Sequence, residues 1–226
     1  MNVHRPFQPS GKPVFEMPVP TAVRDLIDNA LNVTLQEEYA YRPIGTVGKC
    51  HDYAIVGARV LTLLLDHPYM AVAGGEQIDC GDGKFAVIYP NRNTRRQAKH
   101  LSEMSQFHCW IQATHTVAGK KRIEIVDFTA RHDGEFAKAL SIEFTRNITE
   151  NYLWAWNDEI EQRIPATLRD RPSMRGLKKE LMWVDEVCTR LLHDHENEKD
   201  AYFGNLASRV LNRLADSIEA MHHNGA

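Results

Sequence analysis

The stretch that most constrains the fold is AIVGARVLTLLL, residues 54–65, which is apolar around its whole circumference except at Arg59. A helix that is apolar on every side must be buried, because no face of it is suited to water. The run is too short to cross a bilayer, and Pro68 forbids its continuation. The sequence therefore predicts a core helix that begins at Lys49 or Cys50 and that other elements must cover.

The composition allows such a helix to be covered. The chain has 226 residues, of which 43% are hydrophobic, and this is enough for one sizeable domain or for one domain with a helical appendage. Its 27 Lys and Arg residues against 30 Asp and Glu residues give a net charge of −3. No overall positive field therefore favours nucleic acid or an anionic membrane as the partner. Specificity is expected to come from a localised site.

The N-terminal segment, residues 1–19, contains prolines and lacks the apolar core of a signal peptide. We interpret it as an extended arm. The four cysteines are widely scattered, a spacing that favours free thiols over a disulfide framework. Together these features predict a cytoplasmic protein without a membrane span.

Hydrophobic periodicity divides the rest of the chain into helical and extended parts. Residues 20–40 carry apolar side chains at helical spacing, before the buried helix. Four short stretches rich in β-branched and aromatic residues follow, and they predict a mostly antiparallel sheet: YMAVAGG, KFAVIYP, FHCWIQATH and RIEIVDF. The expected fold class is α+β, with the cysteine-bearing helix packed on the sheet, and residues 20–135 form the core.

The helical period returns in residues 136–226, which we predict to be a helical region packed on or beside the core. Apolar stripes run along residues 177–195 and 206–221, and they suggest an antiparallel helical pair. The segment of residues 163–176 contains two prolines and several arginines, so it is the best linker candidate.

Three residues in this framework carry the chemistry: Cys50, His108 and Asp127. Cys50 stands at the first turn of the buried helix, where free backbone N–H groups and the helix dipole stabilise a thiolate. His108 opens one predicted strand and Asp127 nearly closes the next. A four-residue hairpin loop, residues 116–119, places the two side chains directly opposite each other, with Cβ atoms about 4.5–5.5 Å apart. A carboxylate that orients an imidazole beside a thiol is the arrangement of a catalytic triad.

The residues GKC (48–50), HCWIQ (108–112) and VDFTA (126–130) occur in an order that resembles the transglutaminase-like branch of the papain-like cysteine enzymes. The resemblance covers about residues 40–130 and implies a papain-like, transglutaminase-like core. It also implies that Cys50 is the nucleophile, His108 the general base and acid, and Asp127 the residue that orients His108.

The chain departs from the family pattern at several positions. No glutamine precedes Cys50 closely, so Gln36 and Tyr41 are the nearby oxyanion candidates. His51 follows the cysteine where an aromatic residue is usual, and Phe128 follows the aspartate in place of proline. These departures predict a divergent member.

The expected function is cysteine-dependent acyl transfer, with hydrolysis of an amide or peptide bond through a thioester as the default outcome. The substrate would be a peptide or another amide-containing molecule, and neither a cofactor nor a metal is required. Trp110 is a substrate-binding candidate on the same strand face as His108, although core packing is the simpler role for it.

Three other interpretations remain open. A non-catalytic binding or interaction protein could retain this core, and the missing glutamine favours it. Structural zinc is disfavoured because the pairs Cys50–His51 and His108–Cys109 lack zinc-type spacing. Nucleic-acid binding through residues 91–100 and the arginines of 163–175 is also disfavoured, because the basic run lacks interleaved aromatics and suits a solvated loop.

Overall fold

The computed structural model describes residues 19–146, 151–162 and 181–224. The fold is α+β, as predicted, and contains a six-stranded antiparallel sheet and several helices. Residues 1–18 of the predicted arm and the whole of the predicted linker lie outside the described residues, as do residues 177–180 of the first predicted C-terminal helix.

Seven α-helices lie in the described ranges. They are α1 (Thr21–Glu38), α2 (Cys50–Leu65), α3 (Arg92–Gln97), α4 (Asp133–Ala139), α5 (Asn157–Gln162), α6 (Glu186–Glu198) and α7 (Asp200–Asn224). Helix α2 is the predicted core helix and begins at Cys50. The basic run predicted as a solvated loop instead contains α3, because Asn91 caps its N-terminus by accepting a hydrogen bond from the Asn93 N–H.

The strands are β1 (Tyr69–Gly81), β2 (Lys84–Ile88), β3 (His108–Val117), β4 (Lys120–Asp127), β5 (Leu153–Trp156) and β6 (Met182–Val184). The sheet order is β2-β1-β3-β4-β5, and β6 pairs with β1 around Gly74–Glu76. All of these pairings are antiparallel. Strand β1 is longer than predicted and pairs with β3 through its first half and with β2 through its second.

The β3–β4 hairpin has a tighter turn than the predicted four-residue loop. Val117 pairs with Lys120, so only Ala118 and Gly119 form the loop. Both have positive φ angles, 49° and 76°, which is the conformation of a type I′ turn. Val126 consequently pairs with Ile111, and the prediction that His108 lies directly opposite Asp127 is wrong by two residues. A shift of two keeps both side chains on the same face of the sheet, whereas a shift of one would separate them.

The region after residue 135 is not wholly helical, because β5 and β6 belong to the central sheet. The predicted helix over residues 177–195 begins only at Glu186, where Asp185 caps it by accepting hydrogen bonds from two backbone N–H groups. The predicted helix over residues 206–221 lies within the longer α7. These helices do not form a separate pair: α6 packs on β1, and α7 packs on α1 and α2.

The main hydrophobic core lies between α1, α2, α6, α7 and one face of the sheet. Arg59, the charge within the apolar run of α2, forms 2.8 Å ion pairs with Glu196 and Asp200 at the junction of α6 and α7. A second apolar cluster covers the opposite sheet face and contains Val72, Trp110, Ile125, Ala155, Ile160 and Met182. The C-terminal helices therefore help to bury α2.

Helix α2 approaches the sheet closely at Gly57. A Cβ atom at this position would lie 2.7 Å from Ile111 Cδ1 and 3.0 Å from the Phe128 ring, so only glycine allows the observed spacing. Because Cys50 and Gly57 share one helix, this contact fixes the distance between the cysteine and β3. No helix in the described ranges is both long and apolar enough to span a membrane.

Candidate active site

Cys50 is the first residue of α2 and is buried. The backbone N–H groups of Asp52 and Tyr53 both donate to the Lys49 carbonyl. The N–H groups of Cys50 and His51 precede the first intrahelical bonds and have no acceptor in the described part of the chain. Free N–H groups at the positive end of a helix dipole favour an anion, so the local structure at Cys50 stabilises a thiolate and an oxyanion beside it.

His108 and Asp127 lie on the same face of the sheet, as predicted, and their side chains are in contact. His108 Nε2 lies 2.9 Å from Asp127 Oδ2, and it donates because a carboxylate only accepts. The other oxygen, Oδ1, accepts hydrogen bonds from the Thr129 N–H at 2.8 Å and from its hydroxyl at 2.6 Å. Asp127 is thus held in one orientation. When the His108 ring is neutral, this contact fixes the tautomer that leaves Nδ1 without a proton.

His108 Nδ1 lies near the carboxyl group of Glu76. It makes no hydrogen bond of good geometry within the described residues. The carboxylate oxygen Oε2 of Glu76 lies 3.4 Å from Nδ1, and the Cys50 thiol interacts with the same imidazole ring. Loose contacts of this kind are common in catalytic sites before substrate binds. The predicted residues Cys50, His108 and Asp127 therefore lie together in one cluster.

The electrostatics of the cluster favour a thiolate–imidazolium pair. The pKa of Cys50 lies well below that of an ordinary thiol, first because of the neighbouring Cys109 thiol and also because of the His108 and His51 rings, while burial opposes the shift. Burial would lower the pKa of His108, but the carboxylates of Glu76 and Asp127 raise it well above its usual value. Both pKa shifts indicate that the charged forms, the Cys50 thiolate and the His108 imidazolium, are stabilised.

Two further carboxyl groups belong to this cluster and were not predicted from the sequence. Burial raises the pKa of Glu76 on β1 to about 7, and the charges of Asp127 and Cys50 add to the shift. Burial, with the charges of Glu76 and Asp127, likewise raises the pKa of Asp133 at the start of α4 to about 9. One imidazole thus contacts the carboxyl groups of Glu76 and Asp127 and interacts electrostatically with that of Asp133, and the pKa values of Glu76 and Asp133 are raised. A glutamate inside the apolar strand YMAVAGGEQI was the signal that could have identified Glu76.

Trp110, the predicted substrate-binding candidate, is buried beside His108. It is 1% exposed and lies in the second apolar cluster, where its ring stacks on His108 with centroids 6.1 Å apart. Its role is therefore to support the imidazole from within the core. Contact of this ring with a substrate stays a prediction, and it would need the same local rearrangement as contact with the buried His108.

The two oxyanion candidates lie apart from Cys50. Gln36 is exposed on α1, and Tyr41 is 79% exposed beyond the end of that helix. In the part of the chain that the structure describes, neither hydrogen-bonds with Cys50. The free backbone N–H groups at the start of α2 are better placed for this role than either side chain.

The raised pKa of Glu76 predicts a specific dependence of stability on pH. Between the usual value of about 4.5 and the folded value of about 7, the folded chain retains a proton that the unfolded chain has lost, so the free energy of unfolding falls as pH rises. In Glu76→Gln this fall should be smaller by about 1–3 kcal/mol between pH 5 and 8. Urea unfolding at several pH values measures it.

The matched control for this measurement is Glu135→Gln, because Glu135 is exposed on α4. The control should reproduce the wild-type curve. Parallel curves for wild type and Glu76→Gln would show that Glu76 ionises normally in the folded protein.

Comparisons with known proteins identify no family for this chain. No family model matches it, and no curated protein matches it. Among solved structures, the crystal structure of a genomics target is similar over 88% of this chain and 82% of that chain, with 18% sequence identity and a TM-score of 0.48. Similarity at this level carries no argument about function, which has to be argued from the cluster itself.

Proposed function

We propose that this protein is a cysteine-dependent acyl-transfer enzyme of the transglutaminase-like type, which hydrolyses an amide or peptide bond. The observation that carries the proposal is the position of His108: Asp127 holds its Nε2 atom at 2.9 Å, and the ring interacts with the thiol of Cys50 at the start of a helix. This combination provides a nucleophile, a base for it and a group that orients the base. A papain-like core around α2 and the sheet is part of the same proposal.

In the proposed reaction, His108 Nδ1 takes the proton of the Cys50 thiol. The thiolate attacks the substrate carbonyl carbon, and the backbone N–H groups of Cys50 and His51 stabilise the negative charge on the carbonyl oxygen. The imidazolium then gives its proton to the leaving amine as the carbon–nitrogen bond breaks. Water, deprotonated by His108, hydrolyses the thioester and releases the carboxylic acid. Asp127 stays ionised and stabilises the imidazolium.

A non-catalytic binding protein is the second candidate, and one observation favours it. The three residues of the cluster are almost fully buried: Cys50 is 5% exposed and His108 and Asp127 are each 2% exposed. A substrate carbonyl can reach Cys50 only after a local rearrangement. The same residues could instead form a buried polar network that stabilises the core.

The reactivity of Cys50 distinguishes these candidates. Alkylation by iodoacetamide requires the thiolate, so Cys50 should be modified at a pH well below the usual thiol pKa of about 8.5. The other thiols provide internal controls, because burial raises the pKa of Cys80 and Cys109 and raises that of Cys188 to about 12. Peptide mass mapping after short exposures between pH 5 and 9 gives the midpoint for each cysteine. The pH at the midpoint of alkylation distinguishes the two candidates. The absolute rate does not, because burial of Cys50 slows alkylation at every pH.

Two variants complete this experiment. Cys50→Ser should remove the low-pH alkylation, and His108→Asn should move the midpoint of Cys50 toward that of an ordinary thiol. Hydrolysis of a panel of fluorogenic amides, abolished in Cys50→Ser, would support the enzyme directly. Alkylation of Cys50 only near pH 8.5 or above would refute the catalytic proposal and favour the binding protein.

We also propose a cytoplasmic location. All four cysteines are free and buried in the structure, which suits a reducing compartment. If the cysteines are free thiols in the cell, the mass of the protein isolated under alkylating conditions should not change on reduction. Mass spectrometry before and after reduction measures this.

A further inference from the structure

A second cluster of ligand-type side chains lies beside the active site, and of its three members only His51 also contributes to the reaction proposed above. His51 and Asp52 occupy the first turn of α2, and His195 lies near the end of α6. One potential ligand atom from each of the three residues lies within 4.8 Å of the other two. We propose that His51, Asp52 and His195 bind a divalent first-row transition-metal ion, with zinc as the representative ion.

The spacing of the ligand atoms suits a single ion. His51 Nε2 lies 3.4 Å from Asp52 Oδ1, and the rings of His51 and His195 meet edge to face with centroids 5.6 Å apart. Ligands at about 2.0–2.2 Å from a tetrahedral ion lie roughly 3.3–3.6 Å from one another. The His51–Asp52 pair therefore has the required separation, and the ligand atom of His195 lies within 4.8 Å of both, so it must move closer to bind the same ion.

Asp52 is oriented for this role by its surroundings. It is 2% exposed, and its Oδ2 atom accepts a 2.5 Å hydrogen bond from the Tyr39 hydroxyl. The ammonium group of Lys49 approaches the same oxygen at 3.8 Å. Oδ1 is thereby left to face His51. A hydroxyl that fixes a ligating carboxylate is a typical outer partner of a metal site.

His195 is available as the third ligand. Its side chain forms no hydrogen bond in the described ranges, and its ring packs against the rings of His51 and Phe203. The neighbouring His193 behaves differently, because its Nε2 atom interacts with the Ala71 carbonyl at 2.9 Å. A half-buried imidazole without a hydrogen-bond partner gains a strong interaction when it coordinates a metal.

A cavity lies beside the cluster of His51, Asp52 and His195. His51 and Asp52 line a cavity of about 540 Å³, together with Tyr39, Tyr41, Lys49, Lys199, Tyr202 and Glu38. Three protein ligands with space beyond them leave coordination positions for water or a small anion, as in catalytic rather than structural sites. Two imidazoles and one carboxylate favour a transition ion over magnesium or calcium, which prefer oxygen ligands.

The decisive experiment measures zinc binding to the full chain by isothermal titration calorimetry after treatment with a chelator. Wild type should bind one ion. His51→Ala and His195→Ala should each weaken binding by at least about 100-fold, since even outer partners of a metal site contribute roughly 10–100-fold. Tyr39→Phe should weaken it by about 10-fold. His193→Ala, which removes a histidine of the same helix from outside the cluster, should bind zinc like wild type.

The active-site cluster is the main rival location for a metal, because Glu76, His108 and Asp127 also place ligand atoms within 4.8 Å of one another, and the Cys50 thiol lies beside them. Glu76→Gln should therefore bind zinc like wild type. Cys50→Ser should retain zinc binding if the ion is held by the cluster of His51. Cobalt provides a second readout: the proposed ligands give a visible d–d spectrum without the intense sulfur-to-cobalt charge-transfer band that a Cys50 ligand would produce. This result does not depend on whether Cys50 is catalytic.

Each outcome has a defined meaning. Loss of binding in His51→Ala and His195→Ala, with binding intact in Cys50→Ser, supports the site. No saturable binding by wild type overturns the proposal, as does binding that survives in His195→Ala or disappears in Cys50→Ser. Circular dichroism verifies the fold of each variant, and Asp52→Asn replaces any histidine variant that unfolds.

Discussion

Replacing Asp127 by asparagine should reduce acyl-transfer activity by about three to four orders of magnitude while the fold persists. The reason lies in the two oxygens of the carboxylate. Oδ1 accepts two hydrogen bonds from Thr129, so the carbonyl oxygen of the substituted asparagine must occupy that position. The amide NH₂ group then faces His108 Nε2 and can only donate. His108 is forced into the tautomer with its proton on Nδ1, where it cannot accept a proton from Cys50.

The same substitution should change the titration of Cys50. Without the carboxylate, the imidazolium loses a countercharge that raises its pKa, and the thiolate loses its charged partner. We therefore expect the midpoint of alkylation to rise toward about 8.5, the value of a free thiol. The free energy of unfolding should fall by only about 1–2 kcal/mol, an ordinary cost for a buried polar change.

Asp79→Asn is the matched control for this variant. Asp79 also lies in a strand and accepts a hydrogen bond from the backbone N–H two residues later, but it lies outside the cluster around His108. It should leave both alkylation and activity unchanged. If Asp127→Asn unfolds the protein, or leaves the reactivity of Cys50 unaltered, the carboxylate is a structural group and at most a Cys–His pair remains.

Local sequence signals were sufficient to predict those features of the site that depend on a single helix or strand. The apolar run and the residues around Pro68 define α2, so the position of Cys50 at its N-terminus could be predicted from residues 48–68 alone. The alternation of side chains along β3 and β4 similarly predicted that His108 and Asp127 share a face. Their exact register could not be predicted, because the tight turn uses Ala118 in a left-handed conformation that usually requires asparagine or glycine.

The remaining groups of the site depend on contacts between distant segments. Glu76 reaches His108 because β1 pairs with β3 up to Gly74, and Asp133 follows from the path of the chain after β4. Neither contact has a local signature. The position of His195 likewise requires α6 to pack on β1, where the Thr189 hydroxyl bonds to the Ala73 backbone.

Strand β6 shows why the C-terminal region was assigned wrongly. Leu181, Val184 and Cys188 have helical spacing, which predicted that the helix begins before them. In the structure, residues 182–184 instead pair with β1 at Gly74–Glu76, and the helix starts after Asp185. A three-residue strand has too few residues to show its own period, so tertiary pairing decides its conformation.

The second large effect expected is the loss of about 3–5 kcal/mol of stability in Glu124→Ala. Glu124 on β4 is fully buried and serves as the shared acceptor of three side chains. Its Oε1 atom accepts from Trp154 Nε1 at 2.6 Å. Its Oε2 atom accepts from the Tyr69 hydroxyl at 2.8 Å and lies 2.7 Å from His115 Nε2. Alanine leaves the buried donors of Trp154 and Tyr69 and the partly exposed His115 ring without this partner, together with a cavity.

Glutamine at the same position separates the polar contribution from the shape of the side chain. The Trp154 indole can only donate, so the glutamine oxygen must face it and the NH₂ group must face Tyr69 and His115. A hydroxyl and a neutral imidazole can both accept, so each can reverse its hydrogen bond. Glu124→Gln should therefore lose only about 1 kcal/mol. Urea unfolding of both variants tests this, with the exposed Glu135→Ala as control; equal losses for Gln and Ala would show that the negative charge, rather than the acceptors, stabilises the strand that carries Asp127.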